Sequence, residues 1–137
     1  MDMRASLKNS VFPVLAAGAL LCAPAANAAS LYSAAQASAG ADVYSQSCAM
    51  CHGDQLQGSM GPALAGANFT SAGDTVGDIY GVISQQMPEN APGSLSAAQD
   101  TDVLAYILSK NGYAAGSSAL NPAEKTTAAM AITAQGK

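Results

Sequence analysis

Residues 48–52 read Cys-Ala-Met-Cys-His. Two thiols three positions apart, followed at once by an imidazole, form the attachment sequence of a c-type haem. The spacing has a physical reason. The two vinyl groups of the haem lie a fixed distance apart on the porphyrin edge. Cys48 and Cys51 reach both as thioethers, and His52 then projects a ring nitrogen over the iron. Other uses of the same residues fit less well. A thioredoxin-like redox pair belongs in a βαβ setting, and a closed zinc site needs four ligands. A plain disulfide between Cys48 and Cys51 is the remaining alternative.

The first 28 residues read as an address. Arg4 and Lys8 lie in a short polar start, an apolar run follows from Val11 to Cys22, and Ala26 and Ala28 offer a small-residue cleavage site. This is a secretory signal peptide with cleavage after Ala28. Its apolar run is shorter than the roughly 20 residues that span a bilayer, which argues against stable membrane insertion. Cys22 follows the bulky Leu21 rather than a small residue, so lipoprotein processing is disfavoured and Cys22 leaves with the leader. Export to the periplasm matches the need to attach haem outside the cytosol. The expected division is a leader at 1–28, a flexible lead-in at 29–39, a haem domain at 40–113 and a tail at 114–137, with a short helix packed on the domain.

Charged residues make up only 10% of the chain and its pI is about 4.5, which excludes a basic nucleic-acid-binding surface. Half of the residues are apolar, which excludes disorder of the low-hydrophobicity kind. Yet the chain has no Trp, two Phe and five Tyr. A domain this small with so few large side chains has a thin core unless something else fills it. After loss of the leader no Arg remains, and Lys110, Lys125 and Lys137 are the only cations.

The expected elements are helices. Gly40, Tyr44 and Cys48 share one face of a first helix, over about 40–48. Residues 53–73 are rich in Gly and small polar residues and read as a long ordered loop, a length that implies a job. Val76, Tyr80 and Ile83 mark a second helix over 75–86, with Asp74 as N-cap. Ser96 and Gln99 form an S-x-x-Q capping box that opens a third, in which Val103, Tyr106, Ile107 and Lys110 share a face and Gly112 follows the end. Asn121-Pro122 is the expected cap of a short terminal helix.

Two further positions bear on the iron. A metal-bound His donates its second ring N–H to an acceptor that fixes the ring. The Pro62 carbonyl, in the Gly61-Pro62 turn, suits that role. The sixth iron position takes a thioether in a closed electron-transfer site. Met50, Met60 and Met130 are alternatives, but Met87, before Pro88, alone combines a rigid setting with enough chain to cross the haem.

Together, Gly40 with Tyr44, Cys48 to Gly53, Gly61-Pro62-Ala63-Leu64, Met87-Pro88 and Asp102 to Leu108 resemble the class I monohaem c-type cytochromes. The resemblance implies an all-α cytochrome c fold, with N- and C-terminal helices crossed over one covalently bound haem c. It implies Cys48 and Cys51 as attachments, His52 and Met87 as axial iron ligands, and Pro62 as the partner of His52. It implies an electron carrier rather than an enzyme. The stretch from Met87 through Ser96, with Ala105 to Leu108 and Asn111-Gly112, is similar to cytochromes serving quinoprotein alcohol dehydrogenases. Partners would then be redox proteins, a dehydrogenase or quinol oxidase as donor and a terminal oxidase as acceptor, met in weak transient complexes of a monomer. The alternatives are a haem enzyme or gas sensor with an open sixth position, or an electron-transfer subunit of a larger complex. One departure stands out. With no Arg and no second His, the haem propionates must be met by backbone N–H groups, Tyr80 or another Tyr, Asn68, Ser, Gln or water.

Overall fold

The computed structural model describes residues 30–69 and 74–132; the leader, with Cys22, lies outside the described residues. The described residues form five helices, α1 (Ala34–Ser47), α2 (Ala49–His52), α3 (Val76–Gln86), α4 (Ala97–Lys110) and α5 (Lys125–Ala128), with a 3-10 turn at Gly66–Asn68. Among the described residues β pairing is confined to two isolated bridges, Ser33 with Gly116 and Thr75 with Ala131. None of the described helices is long and apolar enough to cross a membrane.

Helix α1 begins at Ala34, not near Gly40, which corrects the expected lead-in. Ser33 and Gln36 form a reciprocal capping box, the same S-x-x-Q signal read at Ser96. The Ala/Ser-rich run behind it has good helix propensity but no large side chains to show a period. The residues before the cap are core: Leu31 is 8% exposed and Tyr32 2%.

Helices α1 and α4 make the main crossing, and Gly40 sets its closeness. A Cβ on Gly40 would lie 1.9 Å from the Asp102 carbonyl oxygen and 3.0 Å from Tyr106 Cβ. Beside it the Tyr44 and Tyr106 rings pack with centroids 5.3 Å apart at 52°. Helix α4 opens on the Ser96–Gln99 box and buries Val103, Leu104, Ala105, Ile107 and Leu108. Lys110 lies at the edge of that face, its ammonium 5.2 Å from the Tyr106 ring centroid. Gly112 follows with φ 88°, the left-handed residue that ends a helix.

The cap of α3 is Thr75 rather than Asp74. The Thr75 hydroxyl accepts from the Asp78 N–H at 3.1 Å, and Asp78 Oδ2 accepts from the Thr75 N–H at 3.0 Å. A T-x-x-D box satisfies two end donors at once, which a lone Asp74 side chain cannot do. Helix α3 buries Val76, Ile79 and Ile83 and ends at Met87, whose bond to Pro88 is cis. In the tail, Asn121 accepts from the Ala123 N–H at 3.2 Å, and α5 starts only after Glu124.

Candidate haem site

Helix α1 stops at Cys48 because the backbone there turns to φ −121°, ψ −36°. The Cys48 N–H still donates to the Tyr44 carbonyl at 2.9 Å. Its own carbonyl accepts from the N–H groups of Cys51 at 3.1 Å and His52 at 2.9 Å. Both cysteines and the histidine therefore ride on one kinked turn, rigidly continuous with α1. Cys48 and Cys51 are half-buried and are not joined to each other in a disulfide. Burial, with a smaller contribution from the neighbouring Cys51, pushes the Cys48 thiol up to about 11.

His52 is 8% exposed, and its Nδ1 lies 2.8 Å from the Pro62 carbonyl oxygen. A carbonyl only accepts, so Nδ1 carries a proton, and in the neutral ring Nε2 is the nitrogen left with the lone pair. The ring is walled by Gly61, where a Cβ would come within 2.8 Å of Cε1 and 3.2 Å of Nε2.

The loop beneath is held by its backbone. Gly58 N–H donates to the His52 carbonyl at 2.8 Å and Gly61 N–H to the Cys51 carbonyl at 2.9 Å. The Tyr44 hydroxyl donates to the Gly53 carbonyl at 2.7 Å. Burial, followed by the nearby Cys48, Tyr106 and Asp54, pushes that phenol up to about 12, so it stays a donor. Leu56, wholly buried in the left-handed region at φ 58°, accepts from Leu64 N–H at 2.8 Å and Ala65 N–H at 3.2 Å. Asn111 Nδ2 donates to the Leu64 carbonyl at 2.8 Å, tying the end of α4 to the loop.

Sequence reasoning missed the Tyr44 hydroxyl, the Gly61 wall, Leu56 and the Asn111 tie. Only Tyr44 had a signal, its one-face spacing with Cys48. The others depend on contacts made by the fold.

These elements enclose a cavity of about 700 Å³, lined by Cys48, Cys51, His52, Pro62 and Met87 among others. Its depth is apolar, with Leu64, Phe69, Ile79, Ile83, Val103 and Ile107. The volume suits a cofactor pocket, which is typically about 300–1,000 Å³. Two thiols, an imidazole nitrogen and a thioether lining one largely apolar cavity fit a covalently attached haem. At the mouth Met50 is 76% exposed, Met60 75% and Val82 41%, and Asp74, Asp78 and Glu89 add carboxylates. Among the described residues no Lys lines the cavity, Tyr80 and Asn68 do not line it, and Ser47 and Asn90 are its neutral polar side chains.

Residues 35–107, more than half of the chain, match the family model described as cytochrome c oxidase, cbb3-type, subunit III. No curated protein matches the chain significantly. Among solved structures the chain is similar to the sulfane dehydrogenase SoxCD from Paracoccus pantotrophus, with 27% identity and a TM-score of 0.46, covering 56% of this chain and 43% of that one. The chain thus spans less than half of the length of that relative. With the family match laid over the attachment sequence and its cavity, the chain belongs to this cytochrome c family: it is a monohaem c-type cytochrome, an electron-transfer protein with covalent haem c.

Proposed function

We propose that the chain is a periplasmic one-electron carrier in which His52 and Met87 are the axial iron ligands. One observation supports this best: the cavity lined by both cysteines is also lined by His52 and Met87, with His52 Nδ1 engaged by Pro62 at 2.8 Å. The bound haem supplies a ferric/ferrous couple. The chain's residues do the rest. Pro62 fixes the imidazole tautomer and raises the basicity of Nε2. Met87 offers a thioether, which favours a closed, higher-potential site. Val103, Ile107, Ile79 and Ile83 exclude water from the pocket.

The donor in this reading is a dehydrogenase, of the quinoprotein class by the Met87–Gly112 resemblance, or a quinol oxidase, and the acceptor is a terminal oxidase. Docking is by the exposed apolar mouth at Met50, Met60 and Val82, in weak transient complexes. A steep loss of electron-transfer rate with added salt would count against an apolar contact.

The test is the visible spectrum of the exported protein, oxidised, reduced, and reduced with carbon monoxide. The expected result is a low-spin c-type spectrum, a weak long-wavelength Met-to-ferric-iron band, and no change with carbon monoxide. Met87→Ala should lose the band and take up carbon monoxide. A high-spin wild type that shifts with carbon monoxide would remove Met87 as a firm ligand.

A further inference from the structure

Beyond α4 the chain returns across the molecule and is anchored at two ends. The first anchor is on the α1 side. Gly116 N–H donates to the Tyr32 carbonyl at 2.8 Å, and the Tyr32 hydroxyl donates to the Tyr113 carbonyl. Gln36 makes a reciprocal pair with Leu120: its Oε1 accepts from the Leu120 N–H at 2.7 Å, and its Nε2 donates to the Leu120 carbonyl at 3.2 Å. Leu120 itself is 4% exposed.

The second anchor is on the opening of α3. Val76 N–H donates to the Met130 carbonyl at 2.9 Å and Ile132 N–H to the Asp74 carbonyl at 2.7 Å, around the Thr75–Ala131 bridge. Ile132 is 1% exposed and Val76 wholly buried. Gly77 packs directly on Ala128 of α5. The segment lies beyond residue 107, where the family match ends.

We propose that residues 113–132 are a strap that positions Met87. It rests on the His52/Met87 reading above and adds a cause for the stability of that ligand. His52 is continuous with α1, whereas Met87 is carried on the far end of α3. Helix α3 packs on α4 and on α5, so the strap is its second support and ties it to the α1 side. Eleven residues make α3 about 16 Å long. A tilt of about 10° about its middle moves the Met87 end by about 1.4 Å by the same geometry. Functional groups need placement within about 0.5 Å. The strap's grip on the Val76 end therefore decides whether the thioether at the other end keeps its seat.

The experiment uses the full haem-loaded protein, the variants Ile132→Ala and the milder Ile132→Val, and a chain ended after Ala123, which keeps the first anchor and loses the second. Each is held below its melting temperature, followed by far-ultraviolet circular dichroism. The readouts are carbon monoxide uptake by the reduced form, cyanide binding by the oxidised form, and the long-wavelength Met band. Wild type should exclude carbon monoxide. The shortened chain and Ile132→Ala should bind cyanide about tenfold more tightly, within the range of coupling between packed elements, and weaken the Met band, with Ile132→Val between them and wild type. Ser96→Ala, which weakens the cap of α4, controls for general destabilisation and should not open the site. If wild type is closed and all three strap variants stay as closed as wild type, the strap proposal is overturned and the ligand reading stands. If wild type itself takes up carbon monoxide freely, the ligand reading falls and the strap's role with it.

Discussion

Gly40→Ala places two opposing effects in one substitution, and their sizes decide the sign. Ala in the interior of a helix is favoured over Gly by about 1 kcal/mol. Against this, the new Cβ would stand 1.9 Å from the Asp102 carbonyl oxygen and 2.4 Å from its carbon. Both are backbone atoms inside α4 and cannot rotate away. Ordinary contact begins at 3.4 Å, so α1 and α4 must part by about 1.5 Å, when a gap of 0.5–1 Å already forfeits a quarter to a half of a dispersion contact. The Tyr44–Tyr106 packing lies in that interface. The upper end of the usual overpacking cost, about 3 kcal/mol, less the propensity gain, leaves a net loss of about 2 kcal/mol. In urea titrations of the haem-loaded protein, followed by circular dichroism, the midpoint should fall by about 1 M. Gly81→Ala in α3 is the internal comparison, because nothing lies within 4 Å of its Cβ. It should raise the midpoint by the propensity term alone, up to about 1 kcal/mol. Equal shifts for the two, or a Gly40→Ala protein as stable as wild type, would refute the close crossing.

Three further outcomes follow from the geometry. Tyr44→Phe keeps the ring but strips the Gly53 carbonyl of its 2.7 Å donor, and should cost about 1–3 kcal/mol in the same titration; no change would mean that water replaces the hydroxyl. Burial holds the Asp100 carboxyl above the ordinary carboxylate range, and its Oδ1 is buried with no hydrogen-bond partner. The native state then binds this proton more tightly than the unfolded chain, so stability falls as pH rises from about 3.9 through the native value. Asp100→Asn should therefore be more stable than wild type at neutral pH and lose that advantage below about pH 4; an advantage constant with pH would refute the assignment. Ser96→Ala should cost about 1 kcal/mol through loss of the α4 cap, read from the thermal midpoint.

What could be read from the sequence was local and chemical. Cys48, Cys51 and His52 sit next to one another, and their reading needed no fold. The Ser96 box and the Gly40–Tyr44 face were legible for the same reason, since both span only a few residues. The start of α1 was not read, although Ser33 and Gln36 carry the same box, because the small residues after it show no apolar period. Thr75 lost to Asp74 as the expected cap because only the pairing with Asp78 distinguishes them. The strap was least legible. Leu120 and Ile132 are isolated apolar positions in a run of small residues, and their burial depends on partners far away in sequence: Gln36 pairs with Leu120 across 84 positions, and Ile132 N–H reaches back to the Asp74 carbonyl.

The composition puzzle has a physical resolution in how the core is divided. The buried cluster includes Phe69, Ile79, Ile83, Val103 and Ile107, and these same side chains form the apolar depth of the cavity. They face protein on one side and the haem's place on the other. Tyr44, Leu104, Ala105 and Leu108 form the part that packs protein on protein, and there a glycine lets two backbones approach instead of large side chains filling a gap. Burial of apolar area is what stabilises a small domain, at about 25 cal/mol per Å². A chain with no Trp and few Phe reaches the needed area by sharing its core walls with a cofactor. Fold and site are therefore not separable here: Val103 and Ile107 of α4 belong to the buried core and to the cavity lining at once, and any change to them acts on both.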